Sequence, residues 1–63
     1  MNLKRIRQER GFSQAELAKR AGVSVRMVQN YEQGANDINR AEALTVWRLA
    51  VALGCRMEDL IEL

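Results

Sequence analysis

Sixty-three residues, 48% of them hydrophobic, are enough for one small core and leave no room for a second domain. With no histidine, one cysteine and no acidic cluster at ligand spacing, the chain has neither an internal disulfide nor a metal site in prospect, and no cofactor is expected. The net charge of +2 is divided unevenly: residues 1–31 hold seven Lys/Arg against two Glu, and residues 32–63 hold three Arg against six Asp/Glu.

The absence of proline and of β-branched alternation points to helix throughout. The first helix is predicted from about Asn2 to Arg10, with Leu3, Ile6 and the aliphatic stem of Arg10 on one face and Gly11 as its stop. Phe12 is expected to pack into the bundle. Ser13 and Glu16 form a capping box, so a second helix starts at Gln14 and runs to Ala21 with Leu17, Ala18 and Ala21 as its apolar stripe. Gly22 can take the left-handed conformation that ends it. After Val23 alone, Ser24 can cap a third helix, about Val25–Gln33.

Val28 and Tyr31 turn one side of that third helix inward, whereas Val25, Arg26, Gln29 and Asn30 are not all needed there. Gly34 terminates it. The segment Ala35–Asn39 reads as a polar, irregular loop. A fourth helix begins after Asn39, through an Asn-x-x-Glu box with Glu42, or one turn later near Ala43; the box favours the earlier start. Leu44, Trp47, Leu49, Ala50 and Leu53 give it a broad apolar face, Gly54 ends it, and a short fifth helix follows from about Met57 through Glu62. Tyr31, Trp47 and Phe12, aromatic residues at helical spacing, are read as core, and Cys55 as a small packed hydrophobe.

The small residue at Ala18, Gly22 at the corner, apolar Leu17, Ala21, Val23 and Val28, and the large Tyr31 resemble the helix-turn-helix of the lambda-repressor and Cro-like family, also called the XRE family. The flanking segments LKRIRQERG and LTVWRLAVALGCRMEDL resemble its first and its last two helices. The resemblance implies an all-α fold, a compact five-helix bundle of the lambda-repressor-like type spanning residues 1–63. Against the family pattern, the loop after the third helix looks about three residues longer and lacks a proline.

The same resemblance implies a regulator of transcription, a repressor, that binds double-stranded DNA. The exposed N–H groups at the start of the second helix, with Ser13 and Gln14, make a ready phosphate site, and in the family the residues matching Gln14 and Gln33 contact phosphate. Arg10 is expected to join them, with Lys19 and Arg5 as further charges. The third helix matches the recognition helix. Arg26 can donate two bonds to guanine, Asn30 and Gln29 can pair with other bases, Val25 can press on a thymine methyl, and Ser24 can both cap and contact DNA. The family also pairs the arginine matching Arg7 with the glutamate matching Glu32, which would make Arg7 a strut and a second route to phosphate.

One domain of this size makes few base contacts, so a homodimer on a palindromic operator is expected. Its surface would draw on Met57, Leu63 and exposed parts of the fourth helix. The basic half would face DNA and the acidic half turn away from it. A protein-interaction module, an antitoxin-like or antirepressor component, is the competing reading. No nucleophile and base, and no acid–base pair, can be assembled from these spacings, so an enzyme is not expected. No membrane segment, secretory signal or small-molecule substrate is apparent, and a cytoplasmic location with a reduced thiol is the expectation.

Overall fold

The computed structural model describes residues 1–62, and its order is five α-helices: α1 (Asn2–Glu9), α2 (Gln14–Ala21), α3 (Val25–Gln33), α4 (Ala43–Leu53) and α5 (Met57–Leu60). A 3-10 turn at Ile38–Arg40 interrupts the passage from α3 to α4. The all-helical bundle matches the fold expected from the sequence. Leu63, one of the residues expected at a dimer surface, lies outside the described residues.

The core forms where the helices turn their apolar stripes to one another. Leu3 and Ile6 of α1, Leu17, Ala18 and Ala21 of α2, Val28 and Tyr31 of α3, and Val46, Leu49, Ala50 and Leu53 of α4 are buried, and Leu60 of α5 closes the base. Phe12 packs against this cluster, as expected, with the Arg20 guanidinium 4.6 Å from its ring centre. Helix α2 lies against both α3 and α4, while α1 bears on α3 and α5.

Local bonds set the corners. Ser13 Oγ accepts from the Glu16 N–H at 3.0 Å and starts α2. The return bond expected from the Glu16 side chain is absent among the described residues, so only half of the capping box is used. Gly22, at φ +70°, then lets the Val23 N–H reach the Ala18 carbonyl at 3.0 Å, and Ser24 Oγ accepts from the Met27 N–H at 3.1 Å to start α3. Two residues thus separate the end of one helix from the cap of the next.

The second half departs from the sequence reading at four places. The stretch read as an irregular loop carries Ile38 into the core, 2% exposed, above a turn in which Asp37 Oδ1 accepts from the Asn39 N–H at 2.9 Å. Helix α4 takes the later start, because the Asn39 side chain is engaged elsewhere: its Oδ1 accepts from the Glu62 N–H at 2.8 Å and its amide donates to the Glu62 carbonyl. The inward side of α4 is set by Val46, Leu49, Ala50 and Leu53, which leaves Leu44 and Trp47 more than half exposed and overturns their placement in the core. Helix α5 stops at Leu60, two residues short of the expected end.

Candidate nucleic-acid interface

The side of α3 that the core does not use carries Val25, Arg26, Gln29, Asn30 and Gln33. At about 100° of turn per residue they fall within one sector of about 140°, facing away from Val28 and Tyr31. Val25 is 41% exposed, Arg26 and Gln33 are exposed, and Gln29 and Asn30 are half-buried. Ser24 stands at the head of this face, with its hydroxyl committed to the cap. No side-chain bond ties Arg26 among the described residues, so its fork of donors is free for a partner.

The start of α2 contributes a second group. The Glu16 N–H is taken by Ser13 and the Leu17 N–H by the Ser13 carbonyl, which leaves the N–H groups of Gln14 and Ala15 as the open donors at the positive end of the helix. Gln14 is held by a bond from its Nε2 to Glu32 Oε1 at 3.1 Å. One amide hydrogen therefore fixes the side chain and the other remains available.

Glu32 is the joint on which these parts converge. Its Oε2 accepts from Arg7 Nε at 2.7 Å and its Oε1 from Arg7 Nη2 at 3.0 Å, while Arg7 Nη1 donates to the Phe12 carbonyl at 2.7 Å. Burial acts to raise the pKa of Glu32, but the bonds from Arg7 and Gln14 and the positive charges of Arg7 and Lys4 outweigh it and hold the carboxyl below its ordinary range. The hydrogen bond to Glu32 raises the Arg7 pKa further, against the opposing effect of burial. The pairing inferred from family resemblance is present in the fork geometry anticipated for it. Arg7 is only 8% exposed with three of its donors bonded inside the protein, so its geometry is that of a strut and leaves little for phosphate.

Arg10 is likewise employed internally. Its Nε donates to the Leu53 carbonyl at 2.8 Å, at the C-terminal end of α4, which binds the end of α1 to that helix. Its side chain is exposed, and Arg7, not Arg10, is the charged residue on the buried side of α1. The residue that sequence reasoning passed over is Ile38, whose burial fixes the path out of α3; a single Ile among Asn, Asp and Arg was its only signal.

No group of His, Cys, Asp and Glu among the described residues could hold a metal ion, and no helix is long and apolar enough to cross a membrane. Comparison with curated proteins and with solved structures gives no match. A family model described as HTH_3, Helix-turn-helix, matches residues 3–60, nearly the whole chain. With two capped helices set at a fixed glycine corner and a polar flank turned outward from the second of them, the chain belongs to this helix-turn-helix family, the Cro/C1-type or XRE family of DNA-binding regulators.

Proposed function

We propose that this DNA-binding helix-turn-helix protein is a sequence-specific transcriptional repressor that lays α3 in the major groove of a palindromic operator and acts as a homodimer. The observation that carries the reading is the outward flank of α3, where Arg26 and its polar neighbours stand free of the core. Arg26 reads a guanine through its O6 and N7, Gln29 and Asn30 read neighbouring bases, and Val25 meets a thymine methyl. Ser24 contacts the DNA while its hydroxyl caps α3.

Phosphates are held at the start of α2 by the free N–H groups of Gln14 and Ala15, with Ser13 and the Gln14 amide beside them, and at the end of α3 by Gln33. Glu32 would otherwise repel this backbone, and its pairing with Arg7 removes that obstacle. Family resemblance supports the sign of regulation, and two-fold pairing follows from the few bases one recognition helix can read.

Selection of bound duplexes from a random pool, with binding followed as salt is raised, tests the reading. Recovery of an inverted repeat, with affinity that falls steeply with salt, is the expected result. Failure to shift any duplex at micromolar protein in low salt would overturn it in favour of a protein-interaction module.

A further inference from the structure

Four of the ten Lys and Arg side chains are in ion pairs among the described residues: Arg5, Arg7, Arg40 and Arg56. Of the six without a carboxylate partner there, three meet in one groove between the end of α2 and the middle of α4. Lys19, Arg20 and Arg48 line it together with Trp47, Val51 and the Gly22 corner. No carboxylate stands among its lining residues. Glu16 shares a second hollow with Lys19 and Arg20 but pairs with neither.

The apolar wall of the groove is the side of α4 that the core leaves over. Leu44, Trp47 and Val51 are 53%, 52% and 59% exposed. At about 100° per residue they share a sector of about 60°, opposite the buried Val46, Leu49, Ala50 and Leu53. Three large side chains in line make a patch of the kind that marks an interaction site. Lys19 and Arg20 suit the negative end of α2, whose last turn they occupy. Arg48 has no such reason: it is exposed in mid-helix and makes no side-chain bond among the described residues. Arg20 is steadied over the Phe12 ring, and the donors on its edge are left unbonded there as well.

We propose that this groove seats an acidic amphipathic segment of another protein, with apolar side chains on the Leu44–Trp47–Val51 stripe and carboxylates on Lys19, Arg20 and Arg48. Charge complementarity selects the occupant: three cations without internal partners border an apolar strip that holds no acid of its own. From Leu44 to Val51 the strip runs about 10 Å, or about two helical turns, which matches the apolar face of a short partner helix. A second copy would set the same cations against themselves. Of the three apolar residues only Trp47 offers a ring on which a base could stack, so the strip fits a peptide better than a nucleic-acid strand. The groove lies at the end of α2 and on α4, whereas the proposed DNA contacts use the start of α2 and the flank of α3. A partner could therefore be held together with DNA, and the proposal does not depend on DNA binding.

Trp47 is the only tryptophan in the chain, so its emission reports whether the groove is covered. The probe is an end-blocked peptide of about four helical turns built from Ala, Leu and Glu, with Leu along one face and Glu on both flanks. Titration at low salt should shift the emission to the blue with a dissociation constant of about 10–100 μM. The same peptide with Lys in place of Glu, or with Ala in place of Leu, should bind at least about tenfold more weakly. Lys19→Glu and Arg48→Glu should each weaken the acidic peptide at least about tenfold and strengthen the Lys version. Lys4→Glu, the same change of net charge on a residue outside the groove, should alter affinity less than about threefold. All three positions are exposed, and circular dichroism checks that the variants stay folded.

Emission unmoved by about 1 mM acidic peptide overturns the proposal, as does equal binding of the Glu and Lys peptides, or an equal loss in Lys4→Glu and Arg48→Glu. A blue shift with rising protein concentration and no peptide, accompanied by a rise in sedimentation mass, overturns it in favour of a second copy. Emission that responds to a single-stranded oligonucleotide more strongly than to the peptide, and stops responding in Arg48→Glu, overturns it in favour of nucleic acid. Binding of a random duplex is measured separately. Peptide binding by a protein that shifts no duplex defeats the proposed function alone, and duplex binding by a protein that ignores the peptide defeats this proposal alone.

Discussion

Arg7 of α1 and Glu32 of α3 stand 25 residues apart in sequence and meet as a two-bond fork, with Nε and Nη2 each donating to one carboxylate oxygen. The pair is nearly enclosed, with side chains 10% and 3% exposed, and Gln14 shares one of its oxygens. One buried carboxylate thus ties the first three helices together: α1 by Arg7, α2 by Gln14, and α3 on which it stands.

Removing one member should leave the other charged and unpartnered. Glu32→Gln and Arg7→Lys are each expected to destabilise the fold, the first by about 3 kcal/mol and the second by about 1–3 kcal/mol, since an ammonium cannot reproduce the planar fork. In a domain with ~5 kcal/mol to spare, such losses lower the melting temperature by many degrees. Thermal melts at neutral pH measure this. A Glu32→Gln protein that melts with the parent would show that the pair adds nothing to stability.

The same carboxylate sets a dependence on acid. Its pKa is lowered in the folded protein from the ordinary 4.5, so the folded state favours the charged form more than the unfolded state does. That stabilisation is fully present above 4.5 and is lost as pH falls through the lower folded value. Denaturant melts from neutral pH down to strong acid should show stability declining below that point, and the decline should be shallower in Glu32→Gln. An equal slope in both proteins would assign the acid sensitivity to other groups.

Gly22 holds the helix-turn-helix corner at φ +70°, and a Cβ there would meet nothing within 4 Å. The cost of a side chain is therefore backbone strain alone. Gly22→Val should lose about 1–2 kcal/mol or somewhat more because of its branched Cβ, and Gly22→Asn distinctly less. Equal melting temperatures for the two variants would argue against a left-handed corner in solution.

Arg26 is exposed on the proposed DNA-reading side of α3 and makes no side-chain bond among the described residues. Arg26→Ala should leave the melting temperature within about 0.5 kcal/mol of the parent in stability terms. It should cost about 1–3 kcal/mol of discrimination at one base pair while binding to random duplex is largely retained. Competition among operator variants supplies the measurement. Unchanged preference at every position would remove Arg26 from the reading set.

The first half of the chain was legible because its signals are local. Ser13, Ser24, Gly22 and Gly34 each act on backbone within a few residues, so caps and stops followed from residue type, and Leu17, Val28 and Tyr31 were assigned inward by period alone. The partnership of Arg7 with Glu32 was inferred from likeness to a family. Its enclosure, which makes Arg7 a strut, required the packed structure. Arg10, expected beside the phosphate-binding residues, also donates its Nε to the Leu53 carbonyl, a contact across 43 positions that no local pattern encodes.

The second half shows why a local pattern can mislead. Asn39 and Glu42 satisfy the spacing of a helix cap, yet Asn39 bonds the backbone of Glu62, 23 residues away, and α4 starts later. Helix α4 has apolar residues on more than one side, so period alone could not choose which side faces inward. Contact with α2 and α5 chose Val46, Leu49, Ala50 and Leu53 and left Trp47 in solvent. Residue type and spacing determined where α2 and α3 begin and end and that the helices form one family's bundle, because the caps at those ends depend on bonds within a turn or two. The direction each doubly apolar or charged side faces was decided only when all five helices competed for the same small interior.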